Sequence, residues 1–381
     1  MSSSNGTNHG WVDSPTKLTH MLRKLEGCTQ LAVDTESNSL FVYRERVCLI
    51  QFSTPTADYL VDPLALHDLS PLAPIFASPE IEKIFHAAEY DVICLKRDFG
   101  FTFDNLFDTM LAARILGYSE IGLAALLQAE FDVQMDKRFQ RANWGKRPLP
   151  AEQLAYARLD THYLIPLKQR LSQRLEEKGL MPLAREDFRR MTQVNGASHE
   201  NGLAPFWRMA GKAELTSQQL AVLYELYEYR DQRARQVDRP VFKVFSDQVL
   251  VAIAQQLPHT PDELGRVRGL NSRMLKKTAE GLLGAVQKGL RRNPPQRQSH
   301  PLPNGRYLQL HEALRTWRKE TARQLSVESD IVLPREVMET IARRPPNSLP
   351  ALKDIMQDLP WRFEQYGSQI INLVRNQEGE K

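Results

Sequence analysis

The chain of 381 residues is predicted to fold as an α/β domain followed by two copies of one all-helical module. In the first half of the chain, short apolar runs alternate with helical patterns, which is typical of a central sheet with flanking helices. Two polar segments that are rich in glycine or proline divide the chain, at residues 195–205 and 291–305. Beyond the first segment the pattern is helical, and it repeats at a fixed offset.

The two polar segments are interpreted as linkers, because neither could bury much apolar surface. They separate a first domain from two helical modules, and residues 1–10 are expected to form a flexible tail. The predicted domain boundaries are 11–194, 206–290 and 306–376.

Within the first domain, four apolar runs have the length of strands. They cover residues 31–33, 47–52, 57–62 and 81–85. Helical periodicity predicts helices over 88–98, 108–117, 121–130 and 150–177. Pro150 stands at the start of the last helix, where its missing N–H does no harm.

The helical half of the chain contains a repeat with an offset of 88 residues. Arg230 corresponds to Arg318 and Ile253 to Ile341, and the correspondence holds without a gap from residue 220 to residue 264. Such a repeat indicates two copies of one structural unit. Thr260, with Glu263 three residues later, also predicts a helix start with a capping box.

The composition is that of a globular protein, with 42% hydrophobic and 25% charged residues. It excludes a wholly disordered chain, a collagen-like chain and a disulfide scaffold. Three cysteines without a Cys-x-x-Cys spacing are expected to be thiols in a reducing cytoplasm. Because no segment approaches the ~20 apolar residues of a membrane helix, a cytoplasmic protein without a membrane partner is predicted.

Positive charge is concentrated in one part of the helical half. Residues 266–297 carry a net charge of +8, whereas the whole chain carries +4. A block of this kind is either a solvated helix face or a binding surface for a polyanion. The residues predicted there to bind nucleic acid are Arg266, Arg268, Arg273, Lys276 and Lys277.

Four carboxylates and one phenol fall in the first domain at informative spacings. Asp34 and Glu36 lie two residues apart on a strand, so they project from the same face. Asp91 lies in the first turn of a predicted helix, and Tyr156 and Asp160 share one face of another. Each signal alone has an ordinary explanation, namely a solvated strand end, charge complementarity at a helix N-terminus, or a core aromatic.

Together, these side chains form a set of oxygen ligands, which suits Mg²⁺ or Mn²⁺ better than Zn²⁺. Four carboxylates can hold two such ions ~3.5–4 Å apart, and such a pair stabilises the attacking and leaving oxygens of an in-line phosphoryl displacement. Two divalent cations are therefore the predicted cofactors.

The five residues resemble the three Exo motifs of the DEDD 3′→5′ exonucleases. The tyrosine subclass is indicated, because Ala155 stands where the histidine subclass has its histidine. The segments 107–109, 143–150 and 156–164 are similar to the ribonuclease D family, and the helical repeats are similar to HRDC domains.

This resemblance implies a ribonuclease H-like mixed sheet with flanking helices, followed by two all-α HRDC modules. It implies a 3′→5′ exoribonuclease that releases 5′-nucleotides and trims the 3′ ends of tRNA and other stable RNA precursors. Asp34 would bridge both ions, Glu36 and Asp160 would complete the site of the ion that activates water, and Asp91 would support the second ion. Tyr156 would orient the attacking water.

Two other functions stay open at this point. One is a DNA 3′→5′ exonuclease of the Werner type, and the other is a catalytically silent nucleic-acid-binding adaptor. The chain has no Walker A motif, so no ATP is expected, and a monomer is predicted.

Four residues near the motifs receive separate predictions. Lys146 and Arg147 are predicted to contact substrate phosphates. His86 is expected to be a hydrogen-bonded structural residue, and Asp108 a helix cap. The second helical module, which lacks the basic block, is expected to pack on the catalytic domain.

Overall fold

A computed structural model describes residues 10–195, 203–296 and 305–379. The predicted flexible tail lies outside the described residues except for Gly10, and both predicted linkers lie partly outside them. None of the helices described is long and apolar enough to cross a membrane.

The first domain is built on a mixed sheet of six strands. They are β1 (Trp11–Val12), β2 (Gln30–Ser37), β3 (Val47–Ser53), β4 (Asp58–Val61), β5 (Glu82–Phe85) and β6 (Leu106–Asp108). The strand order is β1-β4-β3-β2-β5-β6, with β3 antiparallel to β4 and with β5 parallel to both β2 and β6. The predicted mixed sheet is confirmed. Strands β1 and β6 were not predicted, because two or three residues are too few to show a period.

Eight helices of the described chain belong to this domain. They are α1 (Pro15–Leu25), α2 (Ala73–Ala77), α3 (Glu89–Phe99), α4 (Thr109–Leu116), α5 (Leu123–Phe131), α6 (Ala151–His162), α7 (Leu164–Glu177) and α8 (Met181–Gln193). The prediction of a single helix over 150–177 is wrong, because the helix is interrupted at Tyr163 and forms α6 and α7. The cause is Pro166, which has no N–H for the carbonyl of His162 and whose ring would clash with it.

The side chains of β2 alternate between two hydrophobic layers. Leu31 and Val33 belong to the layer that contains residues of α1 and α3, whereas Ala32 belongs to the layer that contains residues of α4 and α7. This alternation continues to the end of the strand, so Asp34 and Glu36 share the face of Ala32 and the intervening residue, Thr35, points to the other side.

The helical half of the chain contains α9 (Ala204–Ala210) and two sets of five helices. The first set is α10 (Ser217–Val237), α11 (Val241–Val244), α12 (Asp247–Gln256), α13 (Pro261–Gly265) and α14 (Ser272–Leu290). The second set is α15 (Gly305–Leu325), α16 (Ser329–Val332), α17 (Arg335–Arg343), α18 (Leu349–Ile355) and α19 (Pro360–Gly379). Each helix of the second set begins 88 residues after its counterpart, which confirms the repeat.

The repeat extends to a side-chain hydrogen bond inside each module. Arg230 donates to the carbonyl of Phe245 at 3.1 Å, and Arg318 donates to the carbonyl of Leu333 at 2.9 Å. These two pairs are related by the same offset, so both modules use one internal hydrogen bond to hold the segment before the third helix of each set.

The predicted capping box at Thr260 is only half formed. The Thr260 hydroxyl accepts from the N–H of Glu263, but the Glu263 carboxylate accepts from the N–H of His259 rather than from that of Thr260. A complete capping box, which was not predicted, is formed by Thr216 and Gln219 at the start of α10.

The described chain divides into two compact units. One contains the sheet domain and the second helical module, and the other contains the first helical module together with the loop 37–46 that follows β2. Within the second unit, the hydroxyl of Tyr43 donates to the carboxylate of Asp231 at 2.7 Å and accepts from Arg235.

The second module packs on the sheet domain as expected. The fully buried Arg362 of α19 donates to the carboxylates of Glu186 and Asp187 on α8, each at 2.8 Å, and to the carbonyl of Ile331. Glu186 also accepts from the backbone N–H groups of Trp361 and Arg362, so it caps the first turn of α19. A helix of the sheet domain thus supplies the cap for a helix of the module.

Candidate active site

The end of β2 and the middle of α6 bring three carboxylates together. Oxygen atoms of Asp34, Glu36 and Asp160 all lie within 4.8 Å of one another. Helix α6 is held at this place by Ala157, which packs with Cys48 and Leu60 of the neighbouring strands. Because residues three and four apart share a helix face, Tyr156 and Asp160 both project toward the end of β2.

Asp91 joins the group from the other side of β2. The hydroxyl of Thr35 donates a hydrogen bond to the carboxylate of Asp91, which is buried in the first turn of α3. Asp91 is not one of the three carboxylates of the close group, but its charge acts on Glu36 and Asp160. The site thus comprises a close group of three and a fourth acid held separately by Thr35.

The prediction that Asp108 caps a helix is confirmed, and this residue has a further role. Its carboxylate accepts from the N–H groups of Met110 and Leu111 in α4 at 2.8 and 3.2 Å. It also accepts from Ala87 and Ala88 at 3.1 and 2.8 Å, where Ala87 has a φ of +61°. Asp108 therefore stabilises the turn from which Asp91 is presented. The sequence carries no local signal for this second contact, because the partners lie about twenty residues apart.

The four carboxylates are electrostatically unfavourable as they stand. Burial raises the pKa of Asp34 to about 7. Burial and the charge of Asp34 raise the pKa of Asp160 to about 9, and they also raise the pKa values of Glu36 and Asp91. Removing carboxylates from water and placing them together disfavours the ionised form of each. A cation between them would relieve both effects.

One buried oxygen atom supports a cation site at this group. No donor in the described part of the chain reaches Oδ2 of Asp160, although this atom is buried. Buried polar atoms are satisfied in nearly all native structures, so an orphaned carboxylate oxygen on a member of this close group indicates a ligand. The donor set contains only oxygen, which fits Mg²⁺ or Mn²⁺.

Tyr156 is positioned by its ring and keeps its proton. The ring is buried and packs against Phe139 and Trp144, with centroid distances of 5.9 and 6.2 Å. Burial and the nearby carboxylates raise the pKa of its hydroxyl far above the ordinary value. At neutral pH this hydroxyl is therefore protonated and can hydrogen-bond to a water molecule or to a substrate oxygen.

Asp34, Glu36, Tyr156 and Asp160 line an open cleft of about 510 Å³. Lys137 and Gln140 also line it, and so does His86, whose Nδ1 lies 3.0 Å from the hydroxyl of Thr109. Burial lowers the pKa of His86 to about 4, and its contact with Thr109 agrees with the prediction of a hydrogen-bonded structural residue. Lys137 is the only Lys or Arg among the described residues that line the cleft, and the sequence pattern had favoured Lys146 and Arg147 instead.

The assignment of Arg147 as a phosphate contact needs correction. Its guanidinium forms two bonds to the carboxylate of Asp62, both at 2.7 Å. Its remaining donors reach the carbonyls of Trp144, Lys146 and Cys48 at 2.6–2.8 Å. All five N–H groups of Arg147 are thus used within the protein. Lys146 is exposed and does not line the cleft.

The five basic residues predicted in the first module lie at the surface. Each of them is exposed, and none forms an ion pair with a residue that the structure describes. They are Arg266, Arg268, Arg273, Lys276 and Lys277. Two of them, Arg273 and Lys277, line a cleft.

Comparison with known proteins gives two family matches. Residues 10–176 match a 3′-5′ exonuclease family, and residues 219–286 and 308–374 each match the HRDC domain. The exosome complex exonuclease RRP6 of Saccharomyces cerevisiae is 33% identical over 301 residues, which are 74% of this chain and 40% of that protein. The chain spans less than half the length of the curated relatives it matches.

Solved structures are similar over more of their length. The catalytic core of RRP6 from Trypanosoma brucei is 30% identical, with 76% of this chain and 81% of that chain covered and a TM-score of 0.64. Escherichia coli RNase D, described as an exoribonuclease involved in structured RNA processing, is 26% identical with a TM-score of 0.70. That match covers 97% of this chain and 99% of the other, including both helical modules.

Proposed function

The chain belongs to the family of 3′→5′ exonucleases that carry HRDC domains, and we propose on this basis that it removes nucleotides from the 3′ end of RNA. The observation that carries the proposal is the close group of Asp34, Glu36 and Asp160 in an open cleft, with an orphaned oxygen on Asp160. A catalytically silent adaptor has no need for such a group, because the group destabilises the fold unless a cation is bound.

The proposed cofactors are two divalent cations, Mg²⁺ or Mn²⁺. Asp34, Glu36 and Asp160 would hold one of them, and Asp34 with Asp91 would hold the second. Such ions lower the pKa of bound water and stabilise the attacking and leaving oxygens of a phosphoryl displacement. Within this site, the protonated hydroxyl of Tyr156 is placed to orient the nucleophile.

Structured RNA precursors, including the 3′ ends of tRNA, are the proposed substrates. The similarity to RNase D of Escherichia coli supports this choice, since it extends over nearly all of both chains. The chain is also proposed to act as a monomer. The proposed location is the cytoplasm, where Cys28, Cys48 and Cys94 would stay thiols.

The test uses the full chain and a single-stranded RNA that is labelled at its 5′ end. With Mg²⁺ or Mn²⁺ the label should move through a ladder of shorter products, and a circular RNA of the same sequence should stay intact. Asp34→Asn should abolish the ladder, whereas Asp354→Asn, a change at an exposed carboxylate of α18, should leave it unchanged. Digestion that survives Asp34→Asn would show that the assigned site is not the one used.

DNA of the same sequence distinguishes the remaining alternative. Faster shortening of the DNA strand than of the RNA strand would favour a DNA exonuclease over an exoribonuclease. Binding of RNA without any shortening, in the presence of either ion, would favour the adaptor.

A further inference from the structure

Asp160, one of the proposed cation ligands, lies in the last turn of a helix, where the backbone is held least well. Helix α6 ends at His162, so only two of its residues follow Asp160. The last carbonyls of a helix have no partner within it, and helix ends fray. An acid at this end is disfavoured by the helix dipole, and the charge of Asp34 repels it further. Without a cation, the last turn therefore needs a separate contact that holds Asp160 next to the other acids.

A chain of hydrogen bonds ties this last turn to the sheet. The hydroxyl of Thr161, the residue after Asp160, lies 2.7 Å from the hydroxyl of Ser53 at the end of β3. Ser53 donates to one carboxylate oxygen of Asp58 at 2.6 Å. The other oxygen of Asp58 lies 2.9 Å from Nδ1 of His162. Two consecutive residues of α6 are therefore held by one pair of residues in the sheet.

The direction of each hydrogen bond follows from the chemistry of Asp58. A carboxylate only accepts, so Ser53 gives its single proton to Asp58, and Nδ1 of His162 carries a proton. The Ser53 oxygen is then left to accept from Thr161, whose hydroxyl lies farther, at 3.4 Å, from the carbonyl of Arg158. The chain thus runs from Thr161 through Ser53 and ends on a charged acceptor. Hydrogen bonds to charged acceptors are shorter and stronger than those between neutral groups.

The anchor of this chain is a rigid part of the fold. Ser53 and Asp58 lie opposite each other on the antiparallel strands β3 and β4. The turn between them is closed by hydrogen bonds between Thr54 and Ala57. Ser53 is fully buried, and Thr161 is 1% exposed, so water does not compete for their hydroxyl groups. A buried hydroxyl that lost its partner would keep the full penalty of desolvation, which holds the last turn of α6 against the sheet.

The other three acids of the site do not depend on a helix end. Asp34 and Glu36 belong to β2, which lies inside the sheet between β3 and β5. Asp91 lies in the first turn of α3 and accepts from Thr35. Asp160 is thus the acid whose position depends most on a contact outside its own element.

We propose that Thr161, Ser53 and Asp58 are positioning residues that hold Asp160 in the geometry that binds a cation. None of the three is among the described residues that line the catalytic cleft, so they act through Asp160 rather than on the substrate. This inference rests on the proposed function for the presence of a cation at Asp160. Residues that orient metal ligands typically change metal affinity by about 10–100-fold, and that is the size of effect expected here.

The experiment removes the hydrogen bond between Thr161 and Ser53 from either side in the full chain. Thr161→Val removes the hydroxyl and keeps the shape of the side chain, whereas Thr161→Ser keeps the hydroxyl. Ser53→Ala breaks the same bond from the sheet and carries the test if Thr161→Val does not fold. The control is Thr340→Val, because the exposed hydroxyl of Thr340 donates to a carbonyl of its own helix at 2.7 Å. Thermal unfolding in EDTA shows which variants are folded.

The first measurement is the Kd for Mn²⁺ in the absence of RNA, from the electron paramagnetic resonance signal of the free ion. Thr161→Val and Ser53→Ala should each bind Mn²⁺ at least about tenfold more weakly than the wild type. Thr161→Ser and Thr340→Val should stay within about threefold of it. The double variant of Thr161→Val and Ser53→Ala should bind no more weakly than Thr161→Val alone, because both changes remove one interaction.

The second measurement is hydrolysis of a 5′-labelled RNA over a series of Mn²⁺ concentrations. The Mn²⁺ concentration for half-maximal rate should rise in Thr161→Val and in Ser53→Ala by the same factor as the Kd. At saturating Mn²⁺ the KM for RNA should stay at the value of the wild type, since neither residue contacts the substrate.

A lower Tm with an unchanged Kd for Mn²⁺ in Thr161→Val and Ser53→Ala would overturn the proposal and limit the hydrogen bond to a structural role. Additive losses of affinity in the double variant would also overturn it, because the two residues would then act separately. A wild-type chain whose Mn²⁺ binding depends on Thr161 but that hydrolyses no RNA would contradict the proposed function and leave the positioning role standing. An active nuclease whose variants bind Mn²⁺ normally would do the reverse.

Discussion

Asp34→Asn should stabilise the metal-free protein while it abolishes hydrolysis. Burial raises the pKa of Asp34 from 3.8 to about 7, so the folded protein disfavours the ionised carboxylate that the unfolded chain carries. At pH 8 this difference corresponds to at most about 4 kcal/mol, at about 1.4 kcal/mol for each tenfold change in the proton affinity. Since the amide is also buried and loses hydrogen bonds to water, we expect a net gain of about 1–2 kcal/mol.

The assay is urea unfolding at pH 8 of the wild type, Asp34→Asn and Asp354→Asn, first in EDTA and then in Mn²⁺. In EDTA the Asp34 variant should be the most stable of the three. In Mn²⁺ the order should reverse, because an ion that binds only the folded state stabilises it by about 2.7 kcal/mol at 100 times its Kd. Asp354→Asn should follow the wild type in both conditions, as an exposed residue should.

The opposite pattern would refute this reasoning. If Asp34→Asn lost more than about 1 kcal/mol in EDTA and Mn²⁺ had no effect on the wild type, the carboxylates would be stabilising the fold on their own. Asp34 would then be a structural residue, and the assignment of the cleft as a metal site would fail.

Four further predictions concern the site and its supports. In EDTA the free energy of unfolding should rise as pH falls from 9 to 6, because carboxylates with raised pKa values take up protons in the folded state; a fall over this range would contradict the shifts. Tyr156→Phe should lower kcat by about 10²-fold or more with little change in Tm, whereas an unchanged kcat would limit the residue to packing. Arg147→Ala should lower stability by about 3 kcal/mol because it leaves the buried Asp62 unpaired, and a raised KM at unchanged stability would restore its assignment as a phosphate contact. Arg362→Ala should cost about 3–5 kcal/mol in urea unfolding, against less than about 1 kcal/mol for Arg315→Ala at an exposed pair, and equal losses would show that the buried contact is not special.

Most of the candidate site was predictable because its parts are set by local backbone geometry. A strand places residues two apart on one face, which predicts that Asp34 and Glu36 project together. A helix places residues four apart on one face, which predicts the same for Tyr156 and Asp160. The repeat was predictable for a similar reason, since two copies of one module need apolar residues at equivalent positions. The catalytic roles of Asp34, Glu36, Tyr156 and Asp160 stay predictions until the variants are measured.

The failures involve partners that are distant in sequence. Arg147 was predicted to contact substrate phosphates because no signal near it in the sequence shows that its N–H groups bond to Asp62 and to the carbonyl of Cys48. The contact of Asp108 with Ala87 and the buried ion pairs of Arg362 with α8 also join residues that are distant in sequence. The break at Tyr163 is different, because its cause, Pro166, is a local signal in the sequence.

By itself, the amino-acid sequence determined the α/β class of the first domain, the duplication, and which acids lie on the faces that meet at the end of β2. Only the tertiary structure decided which charges are neutralised and which remain available. It leaves Asp160 Oδ2 without a donor among the described residues, uses all five donors of Arg147, and gathers cations from α10, α11 and α14 into one cleft. The reason is physical. Periodicity follows from bond geometry within a few residues, whereas the free energy of a charge depends on the groups that folding brings within a few ångströms of it.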